Sequence, residues 1–171
     1  ATQKLGFGDF APYAPSGGEP ATFIAKPVIY QGQTELLVAL QMPLEKINNI
    51  MQERTGMGET GESYLVGPDQ LMRSDSYLDP VSHSVMGSFE NPEKGSVDTE
   101  AARKALAGES GAEIIIDYIG ESVLSAYAPV SVYDTTWAIL SEINETEVRA
   151  PINTLIYFIL ISALVMIIIA A

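Results

Sequence analysis

The chain has 171 residues, 9 Lys and Arg against 22 Asp and Glu for a formal charge of −13, and no Cys. Lack of Cys excludes a disulfide framework and thiolate chemistry, and the acidic surplus without a basic patch excludes nucleic acid as a partner. Setting aside an apolar C-terminal run leaves about 150 residues, room for one domain with a proper core or one and a half small ones.

Residues 1–20 (ATQKLGFGDFAPYAPSGGEP) open with a strand-like FGDFAPY and end in a Gly/Pro turn. Two β-prone runs, 21–30 and 34–42, are joined by Gln31-Gly32-Gln33 and read as a hairpin. Pro43 suits a first helical turn, and Leu44, Ile47, Ile50 and Met51 recur at helical spacing to near Arg54. After the loop 55–61 (TGMGETG), residues 62–66 and 70–76 read as a second strand pair around Gly67-Pro68-Asp69. Residues 77–97 are polar and read as irregular, and Asp98 is placed to cap a helix over 99–107 that Gly108 closes. Three further strands are predicted over 112–118, 122–130 and 136–143, with Trp137 filling the core beneath the sheet. Asn144 with Glu147 three residues on forms a helix-start signature.

Residues 152–171 are uncharged and almost wholly apolar. About 20 helical residues span roughly 30 Å, enough to cross a bilayer's hydrocarbon core. Pro151 is expected to kink or restart the helix. The preceding flank carries Glu142, Glu145 and Glu147 with a lone Arg149, which favours the non-cytoplasmic side. A Cys-free domain on that side fits a bacterial periplasm better than a eukaryotic cell surface. The start at Ala1, with no basic-then-apolar leader, gives two expectations: a removed signal segment or a start within a longer protein.

From 62 to 143 the order strand–strand–helix–strand–strand–strand describes a small antiparallel sheet with a helical side, an α+β, PAS-like arrangement. An internal echo accompanies it. Phe23-Ile-Ala-Lys-Pro-Val28, a turn and Leu36–Leu40 resemble Leu124-Ser-Ala-Tyr-Ala-Pro-Val130, a turn and Ala138–Leu140, each copy preceded by an Asp-aromatic pair.

These residues resemble a known family. Phe7-Gly-Asp-Phe-Ala-Pro-Tyr13 with Pro20-Ala-Thr-Phe-Ile-Ala-Lys-Pro-Val28 is similar to the closing strands of a membrane-distal Cache module. Gly58-Glu-Thr-Gly-Glu-Ser-Tyr-Leu-Val66 with Leu71-Met-Arg-Ser-Asp75 resembles the opening of a membrane-proximal one, and Val123–Val130 with Trp137–Ile143 its closing strands. The resemblance is to the double Cache sensor region of bacterial chemoreceptors and histidine kinases. It implies four segments: closing strands of a partial distal module over 1–43, a connecting helix and loop over 44–61, a proximal module over 62–143, and a juxtamembrane and transmembrane helix over 144–171. It also implies a homodimer or larger membrane complex, and it leaves the distal module's first half and the cytoplasmic output outside this sequence.

Other chemistry is weakly supported. Residues 56–61 match G-x-G-x-x-G, but helix precedes strand here and Glu59 would repel phosphate, so a connector turn is expected. His83 is the only His, expected in a polar loop, and Asp69, Asp75 and Asp79 lack a calcium-loop spacing, so neither metal nor cofactor is expected. No catalytic set emerges, and the chain is not expected to be an enzyme. What remains is a small-molecule pocket between sheet and helix, with Tyr64, Arg73, Ser74, Asp75, Asp117, Tyr118 and Tyr127 as candidates. Arg73 could fork onto a ligand carboxylate and Asp117 accept an amino group. The plainer alternative makes Arg73 and Asp75 a surface pair and the tyrosines packing residues. The expected function is sensing or signal relay in a single-pass bacterial inner-membrane receptor, anchored in the lipid bilayer by 152–171. The alternative is an anchored Cache-like accessory subunit docked in a larger complex.

Overall fold

The computed structural model describes residues 4–170; residues 1–3 and 171, which belong to the first and last predicted segments, lie outside the described residues. Strands β1 (Gly6–Pro12), β2 (Pro20–Tyr30) and β3 (Gln33–Gln41) form an antiparallel sheet in that order. Gln31 and Gly32, at φ 49° and 81°, make the two-residue turn whose left-handed backbone matches the twist of a hairpin. In β1 the register slips, so that Asp9 and Phe10 together oppose Thr22. This bulge bends the strand and re-aims both side chains out of the sheet's alternation. Every residue of β3 is exposed, Leu36, Leu37, Val38 and Leu40 included.

Helix α1 (Leu44–Met51) follows, with Pro43 at its extended cap position, just outside the first turn in which it was expected. The second sheet holds β4 (Glu62–Val66), β5 (Gly111–Ile116), β6 (Ser122–Val132) and β7 (Thr135–Asn144), antiparallel in the order β4-β7-β6-β5. Between β4 and β5 lie α2 (Val85–Glu90), α3 (Pro92–Gly95) and α4 (Glu100–Leu106).

The architecture is α+β with antiparallel sheets, as expected, but three local expectations change. Residues 70–76 are not a strand: a single bridge pairs Val66 with Met72, and then side chains take over the backbone groups. Met72 N donates to Ser88 Oγ, Asp75 N to Asn48 Oδ1, and Ser74 Oγ accepts from Leu65 N. Such side-chain partners compete with a ladder. Residues 77–97 hold two short helices, the first capped by Ser84, whose hydroxyl accepts from Gly87 N at 2.9 Å. Thr99, not Asp98, caps α4 through Ala102 N, because Asp98 is bound by Arg103 and Gln70.

The core sits on the face of the second sheet over which α4 packs. Ala101, Ala102 and Ala105 are fully buried there, where α4 packs on β6 and β7, in the same core as Tyr64, Val66, Ala138 and Leu140. Three small side chains let the helix approach β6 and β7 closely. Trp137 is buried at the junction of the two sheets, with Phe7 and Phe10 of β1 at ring separations of 6.1 and 6.2 Å. From β7 the chain enters α5 (Glu145–Ala170) with no intervening loop; α5 runs as one helix through Pro151, where a restart was expected. It is long and apolar enough to cross a membrane, and its apolar stretch is not covered by the rest of the protein.

Candidate functional site

Strand alternation sends Glu62, Tyr64 and Val66 of β4, and Leu140 and Glu142 of β7, to the buried face. The register then sets Glu62 opposite Glu142, Glu142 opposite Ser125 and Ser125 opposite Glu113. One row across the sheet thus carries three carboxylates. Glu62 and Glu142 are only 2% and 3% exposed, although like charges directly opposed on neighbouring strands repel.

The members of the row are neutralised very differently. Glu113 accepts from Lys104 Nζ at 2.6 Å and from the Tyr127 hydroxyl at 2.9 Å, and Lys104 first among these holds its carboxyl below the ordinary range. Glu62 has no cation but four donors: Ser76 Oγ at 2.8 Å, the amides of Tyr77 and Leu78 at 2.9 and 3.2 Å, and the Tyr118 hydroxyl. Glu142 accepts only from the Tyr64 hydroxyl, at 2.8 Å on Oε2, and its Oε1 has no hydrogen-bond partner. Burial, then the nearby charges of Asp117 and Glu62, push the Glu142 carboxyl up to about 7. The Ser125 hydroxyl beside it opposes this shift, yet falls outside hydrogen-bond geometry and is itself buried without a partner.

Aromatic side chains close the cluster. Tyr64 and Tyr118 meet edge to face at 5.4 Å, and burial followed by the adjacent carboxylates raises both phenols, so they remain donors. The His83 ring lies 4.1 Å from that of Tyr118, its Nδ1 is 2.8 Å from Asp79 Oδ2, and its Nε2 is buried without a partner. His83 does lie in the loop before α2, but it is buried there, 4% exposed. Among the described residues, no three His, Asp or Glu side chains form a metal-holding group.

Two clefts reach this cluster. One, of about 480 Å³, opens between Thr99, Glu100 and Arg103 at the start of α4 and Ile115, Asp117 and Tyr118 at the end of β5. The other, of about 310 Å³, lies among Thr60, Leu78, Asp117, Val123 and Asn144. A third, of about 420 Å³ between Pro20, Gln41, Pro43 and Met86, is remote from the buried carboxylates. Asp117 belongs to both of the first two, accepts from the amides of Ile119 and Glu121, and has its carboxyl raised by burial.

The candidates named from the sequence divide accordingly. Tyr64, Asp117 and Tyr118 come together at the cluster. Arg73 is 1% exposed and forks onto Asp9 with Nε and Nη2 both at 2.9 Å, with Asp69 also at 2.9 Å. Trp137 Nε1 donates to the same Asp9 carboxylate at 3.2 Å, so this group ties β1 to the second sheet. Asp75 staples α1 to α2, accepting from Asn48 Nδ2 and Val85 N at 2.7 Å each. Ser74 holds the Leu65 amide, and Tyr127 faces Glu113. Arg73 and Asp75 are therefore not a surface pair. Glu62, Ser76, His83, Ser125 and Glu142 were not singled out from the sequence for the site. The signal was present: Glu62 shares parity with Tyr64 and Val66, and Glu142 with Ala138 and Leu140, a charge at a core position.

A second polar assembly joins this cluster to α5. Asn144 Oδ1 accepts from Thr146 N at 2.9 Å, while Asn144 N donates to Thr60 Oγ1 at 3.1 Å. Glu147 does not complete the expected capping box; its carboxylate instead accepts from the amides of Glu59 and Thr60 at 2.8 and 2.9 Å. Gly58, at φ 72°, lies so close that a Cβ there would collide with the Glu147 carboxylate. Arg54 organises the same loop, donating to the carbonyls of Glu59 and Gly61 at 2.6 Å each and lying 3.7 Å over the Tyr77 ring. The glycines of 56–61 are thus a connector turn built around Arg54.

No family model matches the chain, and no curated protein matches it. Solved structures do. The periplasmic sensory domain of the Campylobacter jejuni chemoreceptor Tlp1 superposes with a TM-score of 0.61 at 18% identity, covering 85% of this chain and 50% of that one. The extracellular domain of mmHK1S-Z3, described as a histidine kinase, gives 0.57 at 17%, covering 89% and 53%. The ligand-binding domain of the Pseudomonas aeruginosa PAO1 amino acid chemoreceptor PctB, in complex with L-Arg, gives 0.55 at 19%, covering 86% and 57%. The chain spans about half the length of the structures it matches. Its fold is that of the Cache-type, PAS-like sensory domains of chemoreceptors and histidine kinases.

Proposed function

We propose that the chain is the sensing and signal-relay region of a single-pass bacterial receptor of the chemotaxis or two-component type. In this reading the N-terminal domain lies in the periplasm and α5 crosses the inner membrane in a homodimer. Residues 4–43 close a distal module, 44–61 connect, 62–143 form the proximal module, and 144–171 lead into the membrane. The observation that carries it is the direct passage of β7 into α5, locked by Glu147 and Asn144 onto the loop that precedes β4. A strand that becomes a membrane helix without slack moves that helix whenever the sheet moves. The acidic flank ahead of the helix supports the orientation. The neighbouring folds are sensory domains rather than enzymes, and they lend no support to an accessory-subunit reading.

The test is a hybrid receptor in which this chain drives a chemoreceptor signalling domain, challenged with small amines and amino acids. Four glycines inserted between Asn144 and Glu145 should abolish the stimulus response and leave the melting temperature of the soluble part unchanged. A response that survives the insertion would sink the relay reading.

A further inference from the structure

The row of Glu62, Glu142 and Ser125 presents acceptors for which the protein supplies no cation. Among the described residues, the basic side chains nearest the sheet are engaged elsewhere: Arg73 with Asp9 and Asp69, Arg54 with backbone carbonyls, Lys104 with Glu100 and Glu113, Arg103 with Asp98. α4 turns apolar side chains to the core, Ala101, Ala102, Ala105 and Leu106. Three buried polar atoms have no partner: Glu142 Oε1, Ser125 Oγ and His83 Nε2. His83 Nδ1 is taken up by Asp79, so its Nε2 is the ring atom left to a further partner. Buried charges persist where they are paired, and buried acceptors where something donates to them. The missing component is a positively charged, donor-rich group.

A cleft lies one side chain away from the row, behind Tyr118. Asp117 and Tyr118 line the cleft of about 480 Å³, and the Tyr118 hydroxyl ends on Glu62. Asp98, Glu100 and Asp117 give that cleft an acidic wall against the single Arg103, which concentrates cations at its mouth. We infer that this row is a binding site for a small organic cation with a primary ammonium head, which enters past Asp117, displaces the Tyr118 hydroxyl and pairs with Glu142 and Glu62. Arg73, the group suited to an amino acid's carboxylate, is locked on Asp9, so simple amines are taken in preference to zwitterions.

Binding ionises Glu142 and releases a proton, since no cation pairs with it among the groups around it: Glu62 and Tyr64 from β4, Asp117 and Tyr118 beyond β5, Ser125 from β6, and His83, whose Nδ1 is held by Asp79, from the loop before α2. Movement of Glu62 reaches the Tyr77 amide and ring, then Arg54, the loop 58–61 and Glu147 on α5. This names the ligand class of the sensory site proposed above and rests on that reading for its role, but the binding measurement reads no signalling.

The complete 171-residue chain in lipid nanodiscs is titrated at pH 7 with ethylammonium and 1,4-diaminobutane by calorimetry. Two buffers of different ionisation heat are used, with L-serine, L-arginine and KCl as comparators. The amines should bind and release protons. Glu142→Gln should weaken binding by more than about tenfold, and Ser125→Ala, which removes only a hydroxyl, by a smaller factor with the melt retained. No amine binding, or equal binding in both variants, overturns the proposal. Binding of the amino acids without the amines overturns the ligand class and leaves the sensory reading standing. Stabilisation by acid alone, with no effect of amine, makes the proton the sole occupant and overturns it as well.

Discussion

Two buried charge clusters lie within one sheet's reach, and they are finished to different degrees. Among the described residues around Asp9, a guanidinium fork, a second carboxylate and an indole N–H leave no buried side-chain polar atom without a partner. Around Glu142, three buried polar atoms have no partner: its own Oε1, Ser125 Oγ and His83 Nε2. The first cluster closes a contact between sheets, and its bulged strand exists to deliver Asp9 to it. The second leaves hydrogen-bonding capacity unused beside a carboxyl that burial raises. Satisfaction of hydrogen-bonding capacity, rather than burial or charge, is what separates a structural ion pair from a site left open for chemistry.

Breaking the finished cluster should cost most. Asp9→Ala leaves the buried Arg73 short of its fork and Trp137 without an acceptor, and should destabilise the fold by about 3 kcal/mol or more in urea unfolding. A loss near zero would mean that the pair is solvated in solution.

The unfinished cluster should show itself as a pH slope. Glu142 has its carboxyl raised from 4.5 to about 7 by folding, so its proton is favoured in the native state. The stabilisation is complete below about pH 4.5 and is lost as pH rises through about 7. Relative to Glu142→Gln, the unmutated chain should lose on the order of 3 kcal/mol between pH 5 and pH 8. Parallel stability curves for the two proteins would refute this.

Smaller effects sharpen the contrast at the junction and on the surface. Glu147→Ala should speed hydrogen exchange at the Thr60 amide by roughly tenfold while leaving Leu140 protected, because only the local clamp is removed. Unchanged exchange at Thr60 would mean that the clamp does not form. Lys104→Met, at an exposed pair, should leave the melting temperature unmoved within error. A clear drop there would show that the acidic row depends on Lys104 after all.

Local signals carried much of the fold. Gln31-Gly32 wrote the hairpin turn, Gly108 the end of α4, and the alternation of β6 and β7 their pairing. Residues 70–76 misled because their alternation is that of a strand, whereas Ser74, Asp75, Asn48 and Ser88 spend their polar atoms on backbone groups far away in sequence. The site was half legible. Tyr64 and Tyr118 stood out as polar aromatics on core strands. Arg73 looked available because its partner Asp9 lies 64 residues away, beyond any spacing argument. Glu142 sat at core parity beside a membrane flank, where an acidic residue reads as an orientation signal.

Pro151 has no amide hydrogen, and the carbonyl that it leaves without a helical donor belongs to Glu147. The residue whose side chain moors α5 to the loop therefore also marks its softest backbone turn. Before that turn the helix is riveted to the loop by Glu147; after it, if the apolar stretch crosses a membrane, the span would be free to bend without pulling the rivet. The arrangement is a wrist: twist of the sheet passes through it, while bending of the membrane-buried length is absorbed there.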